Sequence, residues 1–208
     1  MIKPILDIDF LKKKVVNTLS SDHDLEKIYL EGSQFQKTKE DNLLFNTSLF
    51  KKIDLSDSRL SKLGILDSKI ADSNLSNIEA DRAYLNRVEI QNSRCTGFQI
   101  TEGILNDVLF QGSKLDLSSF RFSHLKDVVF LNCNLVEASF VGANLENVSF
   151  LNCDLTGSDF VEGNLKNIDF RGSTLDNIRI DKNKLENVTV DTGQALYLTR
   201  YFGLEIKD

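Results

Sequence analysis

The segment Phe110–Phe170 reads F QGSKL DLSSF RFSHL KDVVF LNCNL VEASF VGANL ENVSF LNCDL TGSDF VEGNL KNIDF, with Phe and Leu alternating at every fifth residue. The rule extends in both directions, since every residue numbered a multiple of five from Phe45 to Val190 is apolar. Hydrophobic residues make up 41% of the chain, so chance does not produce thirty such positions in a row. This five-residue period decides the fold.

A period of five fits neither an α-helix nor a flat β-strand. On a helix, positions five apart are rotated by roughly 140°, so no single face becomes apolar. On a flat strand, an odd spacing sends successive large side chains to opposite sides of the sheet. All of them are buried together only if the chain turns a corner every five residues. Four corners close one coil of about twenty residues, and such coils stack about 4.8 Å apart through backbone hydrogen bonds.

Residues twenty apart are nearly identical, as the stacking of coils requires. Phe110, Phe130 and Phe150 form one predicted column, and Leu residues fill the columns between the Phe columns. The residue two before each central Phe or Leu points the same way, and from position 113 to 158 it is always Ser, Ala, Cys or Val. A larger residue there overfills the interior. Phe98 and Asn183 depart from this pattern, which predicts a local distortion at each.

The repeat units resemble those of a known family. Ala143–Asn147 (ANLEN) and Cys153–Gly157 (CDLTG) match the A-(D/N)-L-x-x motif of pentapeptide repeat proteins. The resemblance implies an all-β solenoid, a right-handed quadrilateral β-helix. The register already holds at Leu25, so the β-helix is predicted over residues 25–190, with about eight coils of ~4.8 Å each.

The N-terminal part departs from the repeat in two places. Residues 1–24 precede the register and predict a cap, a short helix begun by Asp9. The apolar residues of that helix are Phe10, Leu11, Val15, Val16 and Leu19. Glu40 then interrupts the register, and the polar stretch 36–42 around it predicts a short loop between early coils.

The segment after the repeat, residues 191–208, predicts a helix with Thr192 as N-cap and Gly203 at its end. From Gln194 onward its sequence resembles the C-terminal segment of the quinolone-resistance (Qnr-type) branch of the family. That resemblance implies a homodimer in which two β-helices join end to end. The predicted interface is apolar and consists of Leu196, Leu198, Tyr201, Phe202 and Leu204. The alternative interpretation is a plain end cap on a monomer.

The sequence contains no motif for catalysis, metal binding or a cofactor. Neither His23 nor His124 has metal-ligand spacing to a cysteine or carboxylate, and no phosphate-binding loop or nucleophile motif is present. Cys133 and Cys153 fall in the small inward column, which favours buried core filler over a disulfide. A secretory signal and an apolar run of the ~20 residues that span a membrane are also missing. We therefore expect a cytoplasmic protein that is not an enzyme and contacts no membrane.

The net charge of −6 belongs to the C-terminal half of the rod. Residues 1–99 carry fifteen Asp/Glu and fifteen Lys/Arg, whereas residues 100–192 carry fourteen and eight, a difference of −6. Such a surface repels nucleic acid and attracts a basic protein. In the Qnr-type branch, the resemblance implies a DNA mimic that binds DNA gyrase or topoisomerase IV and relieves fluoroquinolone poisoning. The candidate contact residues are acidic: Glu137, Glu146, Asp154, Asp159, Glu162, Asp169, Asp176 and Asp181. The alternative for each of them is ordinary solubilising charge.

A second hypothesis is a general protein–protein interaction scaffold. Leu131 and Leu151 stack at outward positions one coil apart, as do Val141 and Val161. Such stripes suit a protein contact better than an imitation of phosphates. The unbroken register also leaves no place for the longer mid-chain loop that the resemblance to the Qnr-type branch implies for gyrase protection.

Overall fold

The computed structural model describes residues 1–6, 9, 11–14, 16–22, 25–205 and 207. Over these residues the chain forms a right-handed quadrilateral β-helix of about nine turns, followed by one C-terminal helix. The predicted fold class is therefore confirmed. Every strand pairing is parallel, and between neighbouring coils of the repeat the partners are twenty residues apart, as in Leu125, Leu145 and Leu165.

Short strands lie on the faces of the coil and corners separate them. The strands are β1 (Lys12–Lys13), β2 (Ile28–Glu31), β3 (Leu44–Asn46), β4 (Leu49–Lys51), β5 (Gly64–Ala71), β6 (Tyr84–Gln91), β7 (Ile104–Gln111), β8 (His124–Lys126), β9 (Val129–Leu131), β10 (Asn144–Glu146), β11 (Ser149–Leu151), β12 (Asn164–Lys166) and β13 (Leu185–Glu186). Helix α1 spans Thr192–Tyr201, and a 3₁₀ turn spans Lys182–Lys184. Isolated parallel bridges, such as Asn134↔Asp154, join the coils on the remaining faces.

We call the inward apolar residue at every fifth position a centre. The corners form because the residue two positions after each centre adopts a left-handed conformation. Its φ is positive along almost the whole repeat, with 53° at Asn152 and 54° at Asn167. Asn, Asp and Gly tolerate this region better than other residues do, and they occupy most of these positions. The A-(D/N)-L-x-x unit thus combines one inward Leu or Phe with one residue that turns the chain.

The predicted centres are buried, and the Phe columns stack face to face. The rings of Phe130 and Phe150 have centroids 5.0 Å apart and are inclined by only 2°. Adjacent columns meet edge to face, as Phe140 and Phe150 do at 5.4 Å and 82°. Both are favourable aromatic geometries. All seven Phe centres from Phe110 to Phe170 are buried, so the interior of these coils is a filled core.

The small inward residues also satisfy backbone groups. The Ile28 amide donates to Ser48 Oγ at 3.3 Å, and the Ser48 amide donates to Ser68 Oγ at 3.0 Å. The Ser48 hydroxyl in turn donates to the Asn46 carbonyl at 2.8 Å. Serine at these positions therefore supplies a hydrogen bond between coils as well as a small volume.

The free cysteines Cys133 and Cys153 are buried in the same inward column, and each Sγ lies 3.4 Å from a carbonyl of the preceding coil. Cys95 is likewise buried and unpaired, and burial raises the pKa of its thiol. The interpretation of Cys133 and Cys153 as core filler agrees with this arrangement.

The N-terminal cap differs from the predicted helix. Among the described residues of this segment, Lys12–Lys13 form strand β1, which pairs in parallel with Ile28 and Tyr29. Phe10 and Val15, assigned to the predicted helix, lie outside the described residues. A strand covers the first coil better than a helix because it satisfies exposed backbone groups: the Lys12 amide donates to the Lys27 carbonyl at 2.9 Å. This extra turn raises the coil number from the predicted eight to about nine.

The stretch 36–42 also differs from the prediction, because the coil continues through it without a loop. The Lys37 amide donates to Ser56 and the Glu40 amide to Arg59, at 2.9 and 3.1 Å. Glu40 occupies a centre position and stays only half-buried. The hydrogen bonds between coils join backbone groups and do not depend on an apolar side chain. A single polar centre near the end of the rod therefore leaves the coil intact.

Of the two predicted distortions, only one occurs. Asn183 lies in the 3₁₀ turn of the last coil, where its amide donates to Asp181 Oδ1 at 2.9 Å. Phe98 sits in a regular coil and is buried. The neighbouring centre in its coil is the small Cys95, which leaves volume for the extra ring.

Candidate functional site

The outer surface of the rod is a set of four flat faces. We name each after its centre in the coil Leu105–Phe120, as the 105, 110, 115 and 120 faces, and assign each corner to the face that precedes it. Positions on one face recur every twenty residues. Any residue of the repeat can therefore be placed on a face by its number.

The eight acidic candidates lie on all four faces and do not form one ladder. Glu146 lies on the 105 face and Asp169 on the 110 face. The 115 face carries Glu137, Asp154 and Asp176, and the 120 face carries Asp159, Glu162 and Asp181. The arrangement surrounds the C-terminal half of the rod with carboxylates.

Three of these carboxylates are neutralised by ion pairs. Asp159 contacts Arg179 at 2.8 Å, and Glu146 lies 3.8 Å from Lys126. Asp169 accepts three hydrogen bonds from the guanidinium of Arg171, which lower the pKa of Asp169. Such residues contribute less to the field that a partner meets.

Two further candidates hold the backbone in place. Asp154 Oδ1 accepts from the Thr156 amide and hydroxyl at 3.0 and 2.6 Å, and Asp181 begins the 3₁₀ turn. Within the described part of the chain, Glu137, Glu162 and Asp176 are exposed and form no ion pair or side-chain hydrogen bond. These three carry the charge that is most available to a partner.

A separate charged network ties the N-terminal arm to the rod. Arg87 donates two hydrogen bonds to Asp67, and this contact lowers the pKa of Asp67. The Ile5 amide also donates to Asp67 at 3.2 Å, and the Ile2 amide donates to Asp107. The arm thus lies along the corner column of the 105 face, which counts against this column as a free contact surface.

Helix α1 covers the last coil. Asp191, and not the predicted Thr192, is its N-cap: Asp191 accepts from the Gln194 amide at 3.0 Å, and Gln194 Oε1 accepts from the Asp191 amide at 2.9 Å. The buried Gln194 side chain also donates to the Ser173 carbonyl at 2.7 Å. Gly203 follows the helix with φ of 79°, as predicted.

The five predicted interface residues divide into two groups. Leu198 and Phe202 pack against the core, so they hold the helix on the rod. Leu196, Tyr201 and Leu204 are 46%, 43% and 63% exposed. Tyr201 also turns its hydroxyl inward, where it accepts from the Ile180 amide at 3.4 Å. Only the exposed group is available for contact with a second copy.

Sequence reasoning missed two surface residues, Leu117 and Phe122. Both are exposed, at 57% and 47%, and both have positive φ. The signal was present in the sequence, since both occupy corner positions that otherwise favour Asn, Asp and Gly.

The described residues contain no group of three or more His, Cys, Asp or Glu side chains arranged to hold a metal ion. Over the same residues, no helix has the length and apolar character required to cross a lipid bilayer. His124 is exposed and lies 3.5 Å from the Asn144 side chain, while His23 lies outside the described residues.

Comparisons with known proteins identify the repeat. Residues 104–180 match the family model for the pentapeptide repeat region. Full-length QnrB1, a plasmid-mediated fluoroquinolone resistance protein, is 19% identical, with 90% of this chain and 100% of that chain covered and a TM-score of 0.27. HetL, a pentapeptide repeat protein involved in heterocyst differentiation regulation from the cyanobacterium Nostoc, is 14% identical, with 74% and 86% covered and a TM-score of 0.29. No curated protein matches the chain. Likeness of this degree says nothing about partners.

Proposed function

We propose that this chain, whose residues 104–180 match the pentapeptide repeat region, is a non-enzymatic, DNA-mimicking rod that binds a type II topoisomerase, DNA gyrase or topoisomerase IV. The rod occupies the site of a DNA duplex and protects the enzyme from fluoroquinolones. This function needs no cofactor, and it requires the cytoplasmic location that the sequence predicts.

The observation that carries this proposal is the distribution of carboxylates around the rod. A duplex presents phosphates on every side, and the C-terminal half of this rod presents acidic residues on all four faces with a net charge of −6. Nine turns of about 4.8 Å give a length of about 43 Å, which corresponds to roughly thirteen base pairs. The charge repels nucleic acid itself and attracts the basic groove that holds it.

A homodimer through helix α1 doubles this length. The exposed Leu196, Tyr201 and Leu204 lie at the end of the rod and offer an apolar contact to the same residues of a second copy. Leu198 and Phe202 support that contact indirectly, since they fix the helix against the last coil.

A gyrase supercoiling assay with and without a fluoroquinolone tests the function. The informative variant neutralises the three unpaired acids, Glu137→Gln, Glu162→Gln and Asp176→Asn together. The matched control neutralises three exposed acids in the balanced half, Asp41→Asn, Asp72→Asn and Asp81→Asn. We expect the wild type and the control to restore supercoiling in the presence of drug, and the informative variant to lose this effect. Failure of the wild type over a wide concentration range on several bacterial gyrases contradicts the proposal.

The scaffold remains the second candidate function, because outward apolar residues are present on two faces. Leu131 and Leu151 are half-buried on the 110 face, and Val141 and Val161 are half-buried on the 120 face. A scaffold that binds through such stripes keeps its affinity at high salt, whereas an acidic mimic loses affinity steeply as ionic strength rises. Binding to gyrase measured at several salt concentrations therefore separates the two candidates.

A further inference from the structure

Leu117 and Phe122 occupy corner positions that disfavour them. Their φ angles are 59° and 57°, and of the 26 described non-glycine residues with positive φ they are the only large apolar ones. A side chain with a Cβ loses free energy in this region unless it is Asn or Asp, which bond locally. Both side chains are about half exposed, so the free energy gained by their burial offsets little of the cost of the left-handed conformation. The fold of the isolated rod does not explain why a large apolar residue occupies either corner.

Between residues 102 and 172, the corner residues other than Asn, Asp and Gly are confined to the two edges of the 120 face. Between residues 102 and 172, the corners of the 105 and 110 faces hold only Asn, Asp and Gly: Asp107, Gly112, Asp127, Asn132, Asn147, Asn152, Asn167 and Gly172. The corners at the two edges of the 120 face hold Glu102, Leu117, Phe122, Glu137, Gly142, Gly157 and Glu162. Residues that break a local rule on one face only indicate a function of that face.

Neighbouring residues give the face an apolar centre. The Phe122 ring lies over the next coil, where a Cβ on Gly142 would come within 2.5 Å of Phe122 Cδ1. Val141 and Val161 continue the surface along the rod and are half-buried. Ser119 and Ser139 lie between Leu117 and Val141, and Asp159 lies beside Val161 in the same outward column. We call Leu117, Phe122, Val141 and Val161 the apolar 120 patch.

Acidic residues frame this patch. Glu102 and Glu162 lie in the same corner column as Phe122, and Glu137 follows Leu117 one coil further along. All three are exposed. Two bases on the face are already engaged: the Arg121 guanidinium lies 5.4 Å from the centroid of the Phe122 ring, and Arg179 pairs with Asp159 at 2.8 Å. These carboxylates therefore favour a partner that carries Lys or Arg on both sides of its apolar contact surface.

We propose that the apolar 120 patch docks an amphipathic α-helix of a partner protein, with its apolar stripe on the patch and Lys or Arg beside the stripe. The coils of the rod rise by about 4.8 Å and an α-helix by 5.4 Å per turn. A helix along the rod axis thus places about one turn over each coil. From the coil of Glu102 to that of Glu162 the distance is about 14 Å, which is roughly ten helical residues.

This contact shares Glu137 and Glu162 with the acidic surface, but it rests on Leu117 and Phe122 and does not require a topoisomerase as partner. The test therefore changes only the two apolar residues, which leaves every charge in place. In the double variant Leu117→Asn and Phe122→Asn, asparagine suits the left-handed corner. We expect its urea midpoint to exceed that of the wild type. A lower midpoint assigns both side chains to the stability of the rod and overturns the proposal.

Binding is measured by fluorescence anisotropy with a labelled eighteen-residue peptide of Leu and Lys, patterned as an amphipathic helix. Two further peptides are a scrambled sequence of the same composition and a Leu/Glu version of the same pattern. We expect the wild type to bind the patterned Leu/Lys peptide at least tenfold more tightly than either. The Leu117→Asn, Phe122→Asn variant loses at least tenfold in affinity for that peptide.

The matched control is Leu131→Asn with Leu151→Asn, which removes two apolar residues from the 110 face. It retains wild-type affinity for the patterned peptide. Equal binding of all three peptides, or an equal loss in the control, overturns the proposal. Light scattering tests the alternative that a second copy of this chain occupies the patch. If the wild type is a dimer and the Leu117→Asn, Phe122→Asn variant is a monomer, the patch is a dimer interface and the proposal is overturned.

Discussion

Truncation of one central aromatic residue, Phe150→Ala, tests the packing of the rod. Phe150 is completely buried and stacks between Phe130 at 5.0 Å and Phe170 at 5.4 Å. It also meets Phe140 and Phe160 edge to face, at 5.4 and 5.6 Å. The substitution therefore removes one ring from four aromatic pairs that link three coils.

The magnitude follows from the lost burial and the cavity. Emptying a packed aromatic site costs about 3–5 kcal/mol, and the aromatic pairs add about 0.5–1.5 kcal/mol each beyond burial, though not additively. The neighbouring rings belong to hydrogen-bonded coils at a fixed spacing, so they cannot collapse into the space. We therefore expect a loss near the upper end, about 4–5 kcal/mol in the free energy of unfolding.

A urea titration followed by circular dichroism measures this loss, with Lys166→Ala as the control. Lys166 is exposed and lies 3.8 Å from Glu186, an exposed pair whose removal changes stability by about 0.5 kcal/mol or less. Because each coil contacts only its neighbours, the loss can also separate the C-terminal coils and produce a second transition. Equally mild effects of the two substitutions refute the stacked-core argument.

Three further perturbations follow from particular contacts. Ser118→Ala removes a buried hydroxyl that has no hydrogen-bond partner among the described residues, so we expect the free energy of unfolding to rise by about 1 kcal/mol in a urea titration; a decrease means that the hydroxyl is satisfied. Asp67→Asn lowers stability at neutral pH, and the deficit against the wild type shrinks as acid protonates Asp67, whose pKa the Arg87 contact lowers; a deficit constant down to pH 2 contradicts this contact. Leu204→Asp yields monomers by light scattering with an unchanged urea midpoint, whereas Leu198→Asp lowers the midpoint; an unchanged mass for Leu204→Asp moves the interface elsewhere.

The interior was predictable from sequence because one physical requirement repeats along the chain. Each five-residue unit must bury its centre and turn a corner, and the coils must match at a spacing of twenty. The columns of Phe130 and Leu145 follow from this requirement without knowledge of the rest of the protein. The hydrogen-bonding role of Ser48 and Ser68 did not follow, since volume alone accounts for a small residue at these positions.

The ends were less predictable because no repeat constrains them. Lys12–Lys13 form a strand since the first coil offers backbone partners, a property of the assembled rod rather than of the local sequence. The orientation of α1 likewise depends on docking: the segment is apolar on several sides, and only contact with the last coil separates Leu198 from Leu204.

The placement of the acidic candidates was within reach of the sequence, but their pairing required a comparison of outward columns. Glu146 and Lys126 differ by twenty residues, as do Asp159 and Arg179, so a count by coil brings each pair together. The pairing of Asp169 with Arg171 depends on a side-chain conformation that no count supplies. The total charge of the surface could therefore be predicted from sequence more reliably than the charge that a partner meets.

The residue types that suit a left-handed corner show which surface residues the fold explains and which it does not. Asp107 and Asp127 suit left-handed corners, so their charge is partly a consequence of the backbone. Glu137 and Glu162 have no such explanation, because glutamate lacks the short side chain that bonds to its own backbone in this region. Glu137 shares the corner column of Leu117, and Glu162 shares that of Phe122, so all four lie at the edges of the 120 face. The acidic and apolar residues that turn geometry leaves unexplained thus coincide at the edges of the 120 face, which favours a protein partner with both basic and apolar groups over a purely electrostatic one.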